Sequence, residues 1–352
     1  MADWTASMQQ SYEYYIVDPG TWMDKYRIDN VTGCTITRDS EAETLGSATI
    51  DITESVGEAY IRVYLVVIQN GVREKFPLGT FLVQTPSSSF DGRIRTVSMD
   101  AYTPIMELKE NQPPLGYFTP EDTNIMEEAT RLTNEHARAP VVGGLSETTM
   151  YKDFVSNTDD TWLTYISDMI ANAKFYFDID EMGRILFAPK QDTASLQPVW
   201  NYTDDNASIV YSDITLEHDI FQIPNAVEVV YSDANDTYYA YVENTEDGSP
   251  VSIQNRGRVI CERVNNPDLG GVPTQLMVDE YAEQYLRDIS TFEYTIKYKH
   301  GYNGVRMGDC VLLNFTKFGV ADTKARVISQ QIECGDGCPV TETAVYSVKL
   351  WR

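Results

Sequence analysis

The chain has 352 residues, more than one hydrophobic core usually organises, so roughly two to four folded units are expected. Hydrophobic residues make up 42% of the sequence and aromatic residues 11%, which supplies packed cores and argues against a disordered chain. The 53 acidic residues outnumber the 27 basic ones and give a formal net charge of -26. This charge disfavours a surface that binds phosphate groups and argues against sequence-specific nucleic-acid binding.

The amino terminus and the cysteines bear on the cellular compartment. The opening segment has no basic stretch followed by an apolar core, and the longest apolar run, Val63–Ile68, is far shorter than the roughly 20 residues that span a bilayer. The five cysteines are odd in number and widely spaced, which favours reduced thiols over a disulfide framework. Both observations predict a protein made and kept in the cytoplasm.

The first part of the chain has the pattern of an antiparallel β structure. Asn70-Gly71 predicts a tight hairpin, because both residues tolerate the positive φ that such a turn requires. Short alternating stretches surround it and predict a barrel or a sandwich. These stretches are Cys34–Arg38, Ser47–Thr53, Ala59–Gln69, Lys75–Gln84 and Arg93–Ala101.

The pattern changes after the linker-like segment 111–116. Thr119 is predicted to be a helix N-cap, with Pro120 at the first helical position. A second helix is predicted over Trp162–Ala173 by its apolar face, and an aromatic hairpin over Phe175–Phe187 follows it. This segment therefore predicts a small α+β unit.

Strands return from Asp213 onward. Ala226–Tyr231 and Tyr238–Val242 are predicted strands, an irregular stretch follows through Pro273, and a third helix is predicted over Thr274–Ser290. Strands are predicted again at Tyr294–Tyr298, Asp309–Phe315, Ala325–Ile332 and Ala344–Leu350. The predicted fold class is therefore mainly β with an α+β part and a helix-containing insertion.

One acidic motif imitates a calcium site. Asp178, Asp180 and Gly183 have the spacing of the first half of a calcium loop. Met182 and Pro189 occupy two positions that should supply ligands, so the coordination shell is incomplete. A tight hairpin is the preferred interpretation.

Catalytic motifs are mostly absent from the sequence. His136, His218 and His300 form no zinc-hydrolase motif, and His136 is interpreted as a charge near the C-terminal dipole of a helix. No nucleophile elbow, phosphate-binding loop or dinucleotide fingerprint is present. A catalytic carboxylate pair for glycoside cleavage is not ruled out by the sequence, because so many acidic residues produce pairs by chance. The chain is therefore predicted not to be an enzyme.

The most unusual local motif is Cys334-Gly-Asp-Gly-Cys338, with Cys310 in a preceding predicted strand. Three thiolates could gather there and bind zinc or an iron-sulfur cluster. Such sites usually have a fourth ligand and closer Cys pairs, so a hairpin tip with two cross-strand thiols is preferred. No metal and no cofactor is predicted, and Cys310, Cys334 and Cys338 remain the alternative metal site.

Six segments along the chain carry a resemblance to a known family through their order and spacing. They are Glu74–Val83 (EKFPLGTFLV), Arg95–Leu108 (RTVSMDAYTPIMEL), the helix and hairpin of Thr161–Pro189, Asn225–Tyr231 (NAVEVVY), Ala282–Ser290 and Arg306–Leu312 (RMGDCVL). Together they resemble bacteriophage tail hub proteins, the baseplate hub family at the centre of contractile-tail baseplates and at the N-terminus of tail-associated lysins. The resemblance covers nearly the whole chain, and the order and spacing of the segments are more specific than any one segment.

The resemblance implies two tail-tube-like β-barrel domains and two smaller domains. The implied divisions are an N-terminal segment with the first barrel at 1–108, an α+β domain at 109–212, a second barrel at 213–231 with 292–352, and a small inserted domain with one helix at 232–291. Three copies would form a ring that presents six barrels to a six-fold tail tube. Any lysin or peptidase would be a separate polypeptide.

The implied function is a structural hub of a phage or phage-like virion, assembled in the host bacterial cytoplasm. The implied partners are two further copies, the tail tube or distal tail protein above, and a spike, tip, fibre or tape measure protein. An acidic channel wall would let DNA pass without specific binding, although the charge could equally serve solubility. No membrane contact is expected in the ring.

Two other classes of function stay open. A carbohydrate- or receptor-binding β-sandwich is the alternative, and it predicts aromatic side chains clustered on one open face and binding as a monomer. A glycoside or peptide hydrolase is the third, and it requires a carboxylate pair in a cleft or a metal.

Overall fold

The fold comes from a computed structural model, which describes residues 2–54, 56–90, 92–93, 95–205, 208–217, 223–232, 236–267, 269 and 273–349. The chain is mainly β, with 46% of residues in strands and 16% in helices, which confirms the predicted β-rich class. It divides into two compact units, residues 1–213 with 298–343 and residues 214–297 with 344–352. No helix among the described residues is long and apolar enough to cross a membrane.

Seven strands form the first β region of the first unit. The predicted Asn70-Gly71 hairpin is confirmed, because Gln69 pairs with Val72 and both turn residues have positive φ, 52° and 78°. All strand pairings within this region are antiparallel. The strands are β1 (Gln9–Val17), β2 (Asp24–Ile28), β3 (Val31–Asp39), β4 (Gly46–Ile52), β5 (Tyr60–Gln69), β6 (Val72–Phe90) and β7 (Arg95–Tyr102).

One strand of this region, β5, lies between β6 and β1, and its residues 60–67 are all buried. Ile36, Ile50 and Leu65 have no exposed surface and form the middle of the core. A strand buried on both faces does not need alternation, which explains why the sequence of β5 is a continuous apolar run. Arg62 is the exception within it and is buried as well.

The α+β unit follows as predicted and belongs to the same compact unit. Side chains from both long helices and from the hairpin contribute to a second hydrophobic core of this compact unit. The elements are α1 (Met106–Lys109), β8 (Phe118–Thr119), α2 (Ile125–His136), β9 (Val141–Val142), β10 (Phe154–Val155), α3 (Trp162–Ala171), β11 (Phe175–Ile179) and β12 (Ile185–Pro189), followed by a 3-10 turn at Thr193–Ser195.

The predicted start of α2 is wrong. Asn124 is the N-cap, and its Oδ1 accepts hydrogen bonds from the backbone N–H groups of Met126 and Glu127. Thr119 lies in β8 instead, with its hydroxyl 2.9 Å from that of Tyr165. An Asn cap satisfies the free N–H groups as well as Thr does, so local sequence did not distinguish the two starts.

The predicted second helix is confirmed as α3. Thr161 caps it in a reciprocal capping box with Thr164. Trp162 is only 4% exposed, and Ile166 and Met169 have no exposed surface. The apolar face of α3 is therefore a core face.

The second unit contains a small sheet covered by a helix. β13 (Trp200–Thr203) and β14 (Val210–Glu217) precede it in sequence, and its strands are β15 (Ala226–Ser232), β16 (Thr237–Glu243) and β17 (Cys261–Asn265), in the order β16-β15-β17. The helices are α4 (Ile253–Arg256) and α5 (Gln275–Ile289). Val278, Ala282 and Leu286 of α5 are buried, which confirms the predicted third helix and its face.

One prediction for this unit is wrong, and one strand pairing crosses an implied division. The implied second barrel includes Ala226–Tyr231, whereas β15 pairs with β16 and β17 of the implied insertion. β17 lies in a stretch predicted to be irregular. It runs parallel to β15 and has no hairpin signal of its own, so only tertiary pairing identifies it as a strand.

The last strands are β18 (Thr291–Gly301), β19 (Cys310–Phe315), β20 (Val320–Glu333) and β21 (Pro339–Lys349), with a 3-10 turn at Thr316–Phe318. They join a 13-stranded sheet of order β14-β18-β21-β20-β3-β4-β7-β6-β5-β1-β2, with β19 beside β20 and β13 beside β19. Two smaller sheets, β10-β8 and β11-β12-β9, complete the β structure.

The implied pair of separate closed barrels is wrong for the described residues, whose strands do not close into a barrel. The two β regions instead share one sheet, because β20 pairs antiparallel with β3. Ile332 lies opposite Ile36, and both side chains are buried. The pairing thus joins the edges of two strands over one apolar core. In two separate sheets these edges would be left unpaired.

Candidate functional site

The tip of the β11–β12 hairpin is held by side chains from the first β region. Trp22 Nε1 donates to the Met182 carbonyl at 2.7 Å, and Arg62 Nη2 donates to the same oxygen at 3.0 Å. Arg62 is 1% exposed and also donates to Asp24 at 2.8 Å. A buried guanidinium is tolerated only when its donors are satisfied, and this site satisfies them with one carboxylate and several oxygens.

The tip approaches β6 closely. Thr80 Oγ1 donates to the Glu181 carbonyl at 3.3 Å. Gly183 has a φ of +76°, and a Cβ added there would lie 2.7 Å from the Thr80 Cβ. Both the turn geometry and the close contact therefore require glycine at this position.

The Glu181 carboxylate joins distant parts of the first unit. Its Oε1 lies 2.7 Å from Arg306 Nε and 3.4 Å from Arg38 Nη1. Burial opposes ionisation of Glu181, but the charges of Arg38 and Arg306 outweigh it and lower the pKa of this carboxyl. We call Arg38, Glu181 and Arg306 the Glu181 junction.

The junction leaves little free space. The cavity beside it has a volume of about 30 Å³, enough for one or two water molecules. Burial raises the pKa values of Asp178 and Asp309 near it, as a catalytic acid would require. The cavity is nevertheless far too small for a sugar or peptide substrate, so the junction is structural.

The calcium-like motif forms the hairpin turn, as the preferred interpretation predicted. Ile179 pairs with Ile185, and Asp180 accepts from the backbone N–H of Arg184 at 2.8 Å and from its guanidinium at 2.5 Å. Asp178 Oδ1 accepts from the backbone N–H of Ile179. The carboxylates thus serve the turn itself.

A fully buried carboxylate lies in the last β region. Glu342 has no exposed surface, and it accepts hydrogen bonds from the Tyr298 hydroxyl and from Gln330 Nε2, the latter at 2.6 Å. His300 Nε2 lies 3.4 Å from it. Burial and the nearby Glu342 charge raise the pKa of Tyr298 well above its usual value, which keeps this hydroxyl a donor.

The network continues through His300 to Tyr202. His300 Nδ1 lies 2.8 Å from the Gly301 carbonyl, which can only accept, so Nδ1 carries the proton. His300 Nε2 lies 3.1 Å from the Tyr202 hydroxyl, and Asn303 donates to that hydroxyl at 2.9 Å. We call these residues with Glu342, Tyr298 and Gln330 the Glu342 network; no sequence motif indicated it.

The other two histidines have different outcomes. The His136 ring stacks on Trp162 with centroids 4.1 Å apart. Burial lowers the pKa of His136, so its interpretation as a charge near the helix C-terminus is corrected to an aromatic packing residue at the end of α2. His218 lies outside the described residues.

The structure separates the three candidate thiol ligands. Cys310 is buried in β19, with its sulfur 4.0 Å from the Thr193 carbonyl. Cys334 and Cys338 bound the β20–β21 turn, as the hairpin interpretation predicted, and the neighbour of Cys334 is Cys34 on β3. Cys34 gave no sequence signal because its partner is distant in the chain.

Two phenols complete this cluster. Tyr14 lies in the same buried core as Cys34 and Cys338, and the Tyr12 hydroxyl donates to the Gly335 carbonyl at 2.8 Å. Burial raises the pKa of the Cys338 thiol to about 12. Among the described residues, no group of three His, Cys, Asp or Glu side chains could hold a metal ion.

One face of the small sheet carries exposed aromatic side chains. Tyr239 and Tyr241 are 50% and 44% exposed, and strand alternation places both opposite the face that packs on α5. The Tyr239 hydroxyl donates to Glu228 at 3.2 Å, and Arg263 Nε donates to the same carboxylate at 2.5 Å. This face therefore combines two held aromatic rings with polar groups.

No family model and no curated protein sequence matches the chain. Several solved structures are similar to it. A tail protein from Neisseria meningitidis has 12% identity and a TM-score of 0.64, over 96% of this chain and 97% of that one. The 43 kDa tail protein of prophage MuSo2 from Shewanella oneidensis also has 12% identity and a TM-score of 0.64, over 95% and 98%.

Two further structures share the fold. Prophage tail protein gp18 from Listeria monocytogenes has 11% identity and a TM-score of 0.51, over 94% of both chains. A chain of the Francisella PdpA-VgrG complex has 6% identity and a TM-score of 0.57, over 97% of this chain and 52% of that one. The chain therefore has the fold of these phage tail proteins, as its unit order predicted.

Proposed function

We propose that the chain is a structural hub of a phage or phage-like tail and not an enzyme. The observation that carries this proposal is the extent of the likeness, which covers 97% and 98% of two tail proteins as well as nearly all of this chain. A likeness that extends over whole chains favours a shared structural role more than a likeness confined to one domain would. On this proposal the protein is a virion component assembled in the host cytoplasm.

The proposed assembly is a ring of three copies that adapts a six-fold tail tube to a central spike or tip. The tube or distal tail protein would bind above, and a spike, fibre or tape measure protein below. The likeness to a chain of a VgrG-containing complex supports a partner of the spike type. The four divisions at 1–108, 109–212, 213–231 with 292–352, and 232–291 remain part of this proposal, without the closed barrels and with β15 pairing with strands of the insertion.

The net charge of -26 supports a DNA exit channel through the ring. An acidic wall repels phosphates and avoids the gain from counterion release that would retain the duplex. Purified protein should therefore not retain duplex DNA at low salt. Retention that weakens as salt is added would contradict an acidic channel.

Native mass spectrometry tests the assembly. The protein alone, or mixed with the tube protein of the same particle, should give a trimer, and electron microscopy should show it capping tube ends. A monomer that trimerises only on the tube also supports the hub. A stable dimer, or a protein that never attaches to tube ends, would contradict it.

A second candidate is glycan binding, favoured by the exposed Tyr239 and Tyr241 on the open face of the small sheet. Aromatic rings held by Glu228 and Glu243 could stack on sugar rings, with Arg263 contacting hydroxyl groups. Binding to host surface polysaccharide should then be lost in Tyr239→Ala and Tyr241→Ala. The matched control is Tyr211→Ala, another exposed tyrosine. No binding by the parent protein would exclude this candidate.

A further inference from the structure

Cys34 and Cys334 are neighbours on paired strands. β3 and β20 pair antiparallel as far as Thr35 opposite Glu333, and Cys334 N–H donates to the Cys34 carbonyl at 2.9 Å, which extends the register by one pair. The Cα atoms of a hydrogen-bonded antiparallel pair lie about 5.5 Å apart. This separation falls within the range of about 4.4–6.8 Å that a disulfide bridges.

The two thiols also lie on the same face of the sheet. Residues directly opposite in an antiparallel pair project together. Cys334 packs against the apolar core that contains Cys34 and Tyr14. A bond between the sulfurs therefore needs little backbone movement.

An open groove gives access to one of the two thiols. Cys334 lines a groove of about 580 Å³ together with Trp4, Tyr12 and Tyr302. Cys34 is buried at 7% exposure. A reagent from solvent therefore reacts with Cys334 first. Cys34 is then positioned to attack the mixed disulfide that forms on Cys334.

We propose that Cys34 and Cys334 form an oxidative cross-linking site, which a low-molecular-weight disulfide converts to a bond between β3 and the β20–β21 turn. The Cys334 thiolate attacks one sulfur of the reagent and expels the other as a thiolate, leaving a mixed disulfide. The Cys34 thiolate then attacks the Cys334 sulfur and expels the second reagent thiolate. Two electrons pass from the protein sulfurs to the reagent, and its two thiolates take up the two protons.

The surroundings of Cys334 make this reaction slow in a reducing compartment. The neighbouring Cys34 thiol and burial both raise the pKa of Cys334, so its reactive thiolate is scarce at neutral pH. The site stays reduced where glutathione is reduced and closes after transfer to an oxidising medium. This chemistry does not depend on the proposed tail role.

The test uses oxidised glutathione at mildly alkaline pH on the full chain carrying Cys261→Ser, which removes the exposed thiol. Four of the five thiols then remain, and oxidation should leave two that react in denaturant. Peptide mapping should join Cys34 to Cys334. The urea midpoint of unfolding should rise on oxidation and fall back on reduction.

Two further variants make the test decisive. Adding Cys310→Ser, a buried thiol outside the cluster, should leave the cross-link intact. Adding Cys34→Ser should abolish it and leave glutathione attached to Cys334. A Cys334 to Cys338 link, a mixed disulfide that persists in the protein with Cys34 intact, or four thiols still free would overturn the proposal.

Discussion

Two carboxylates of the first unit are held in different ways: Glu181, whose side chain is 18% exposed, and Glu342, which has no exposed surface. Glu181 lies between Arg38 and Arg306, so positive charges on separate chain segments stabilise its negative charge. Glu342 is held by the hydroxyl of Tyr298 and the amide of Gln330, which are neutral donors. Charge pairing thus fastens the hairpin tip to the β regions, whereas neutral hydrogen bonds complete the interior of one β region.

This difference predicts different responses to mutation and pH. Removing a carboxylate from between arginines leaves positive charges without their partner, while removing one from neutral donors leaves unsatisfied hydrogen bonds and a cavity. The apolar core residue Trp162 provides the reference loss of stability with which both effects are compared.

Trp162→Ala should give the largest effect, a loss of about 3–5 kcal/mol in the free energy of unfolding. Trp162 is 4% exposed and packs against Tyr117 and His136, so its removal leaves a large cavity. Urea denaturation measures the loss. Trp162→Phe keeps most of the volume and should cost less, and an Ala variant as stable as the parent protein would show that Trp162 is not a core residue.

Glu342→Ala should cost about 3 kcal/mol, because two buried donors lose their acceptor. Glu342→Gln keeps the volume and one oxygen acceptor for Tyr298, so it should cost about half as much. Urea denaturation of both variants makes the comparison. Equal losses would show that the carboxylate charge, rather than hydrogen-bond satisfaction, stabilises this network.

Glu181→Gln should show a pH-dependent loss of about 1–2 kcal/mol. The pKa of Glu181 is lowered in the folded state from its ordinary 4.5, so its stabilisation is present above pH 4.5 and is lost as pH falls through the folded pKa. The parent should therefore be more stable than the variant at neutral pH, and the difference should vanish in acid.

The control for this pH series is Glu41→Gln, which changes an exposed carboxylate in a turn. Its stability difference from the parent should stay near zero across the same range. A Glu181 difference that grows in acid would reverse the sign expected for a carboxylate paired with arginines.

The double variant Cys334→Ser, Cys338→Ser should have the smallest effect, about 1 kcal/mol or less under reducing conditions. The turn that bears these thiols is held by backbone bonds such as Cys338 N–H to the Gly335 carbonyl at 3.1 Å, and a serine hydroxyl can replace sulfur beside Tyr12. The variant should fold and assemble normally. Stoichiometric zinc or iron that these substitutions abolish would instead establish a metal site.

Local sequence patterns determined many elements of this protein. The Asn70-Gly71 hairpin, the apolar faces of α3 and α5, and the turn at Gly183 follow from the φ preferences of a few residues and from periodicity. These signals act over a few neighbours in the chain, so they can be recognised without knowledge of the fold. The order of the elements was enough to indicate the fold of phage tail proteins.

Tertiary structure alone decided how distant segments pair. The union of the two β regions through β3 and β20, the parallel strand β17, and the position of Cys34 beside Cys334 have no local signal. The Glu181 junction depends on three segments that meet only in the folded chain. Strand pairing and ion pairing are set by which partners burial brings together, and that depends on the whole core rather than on any one stretch of sequence.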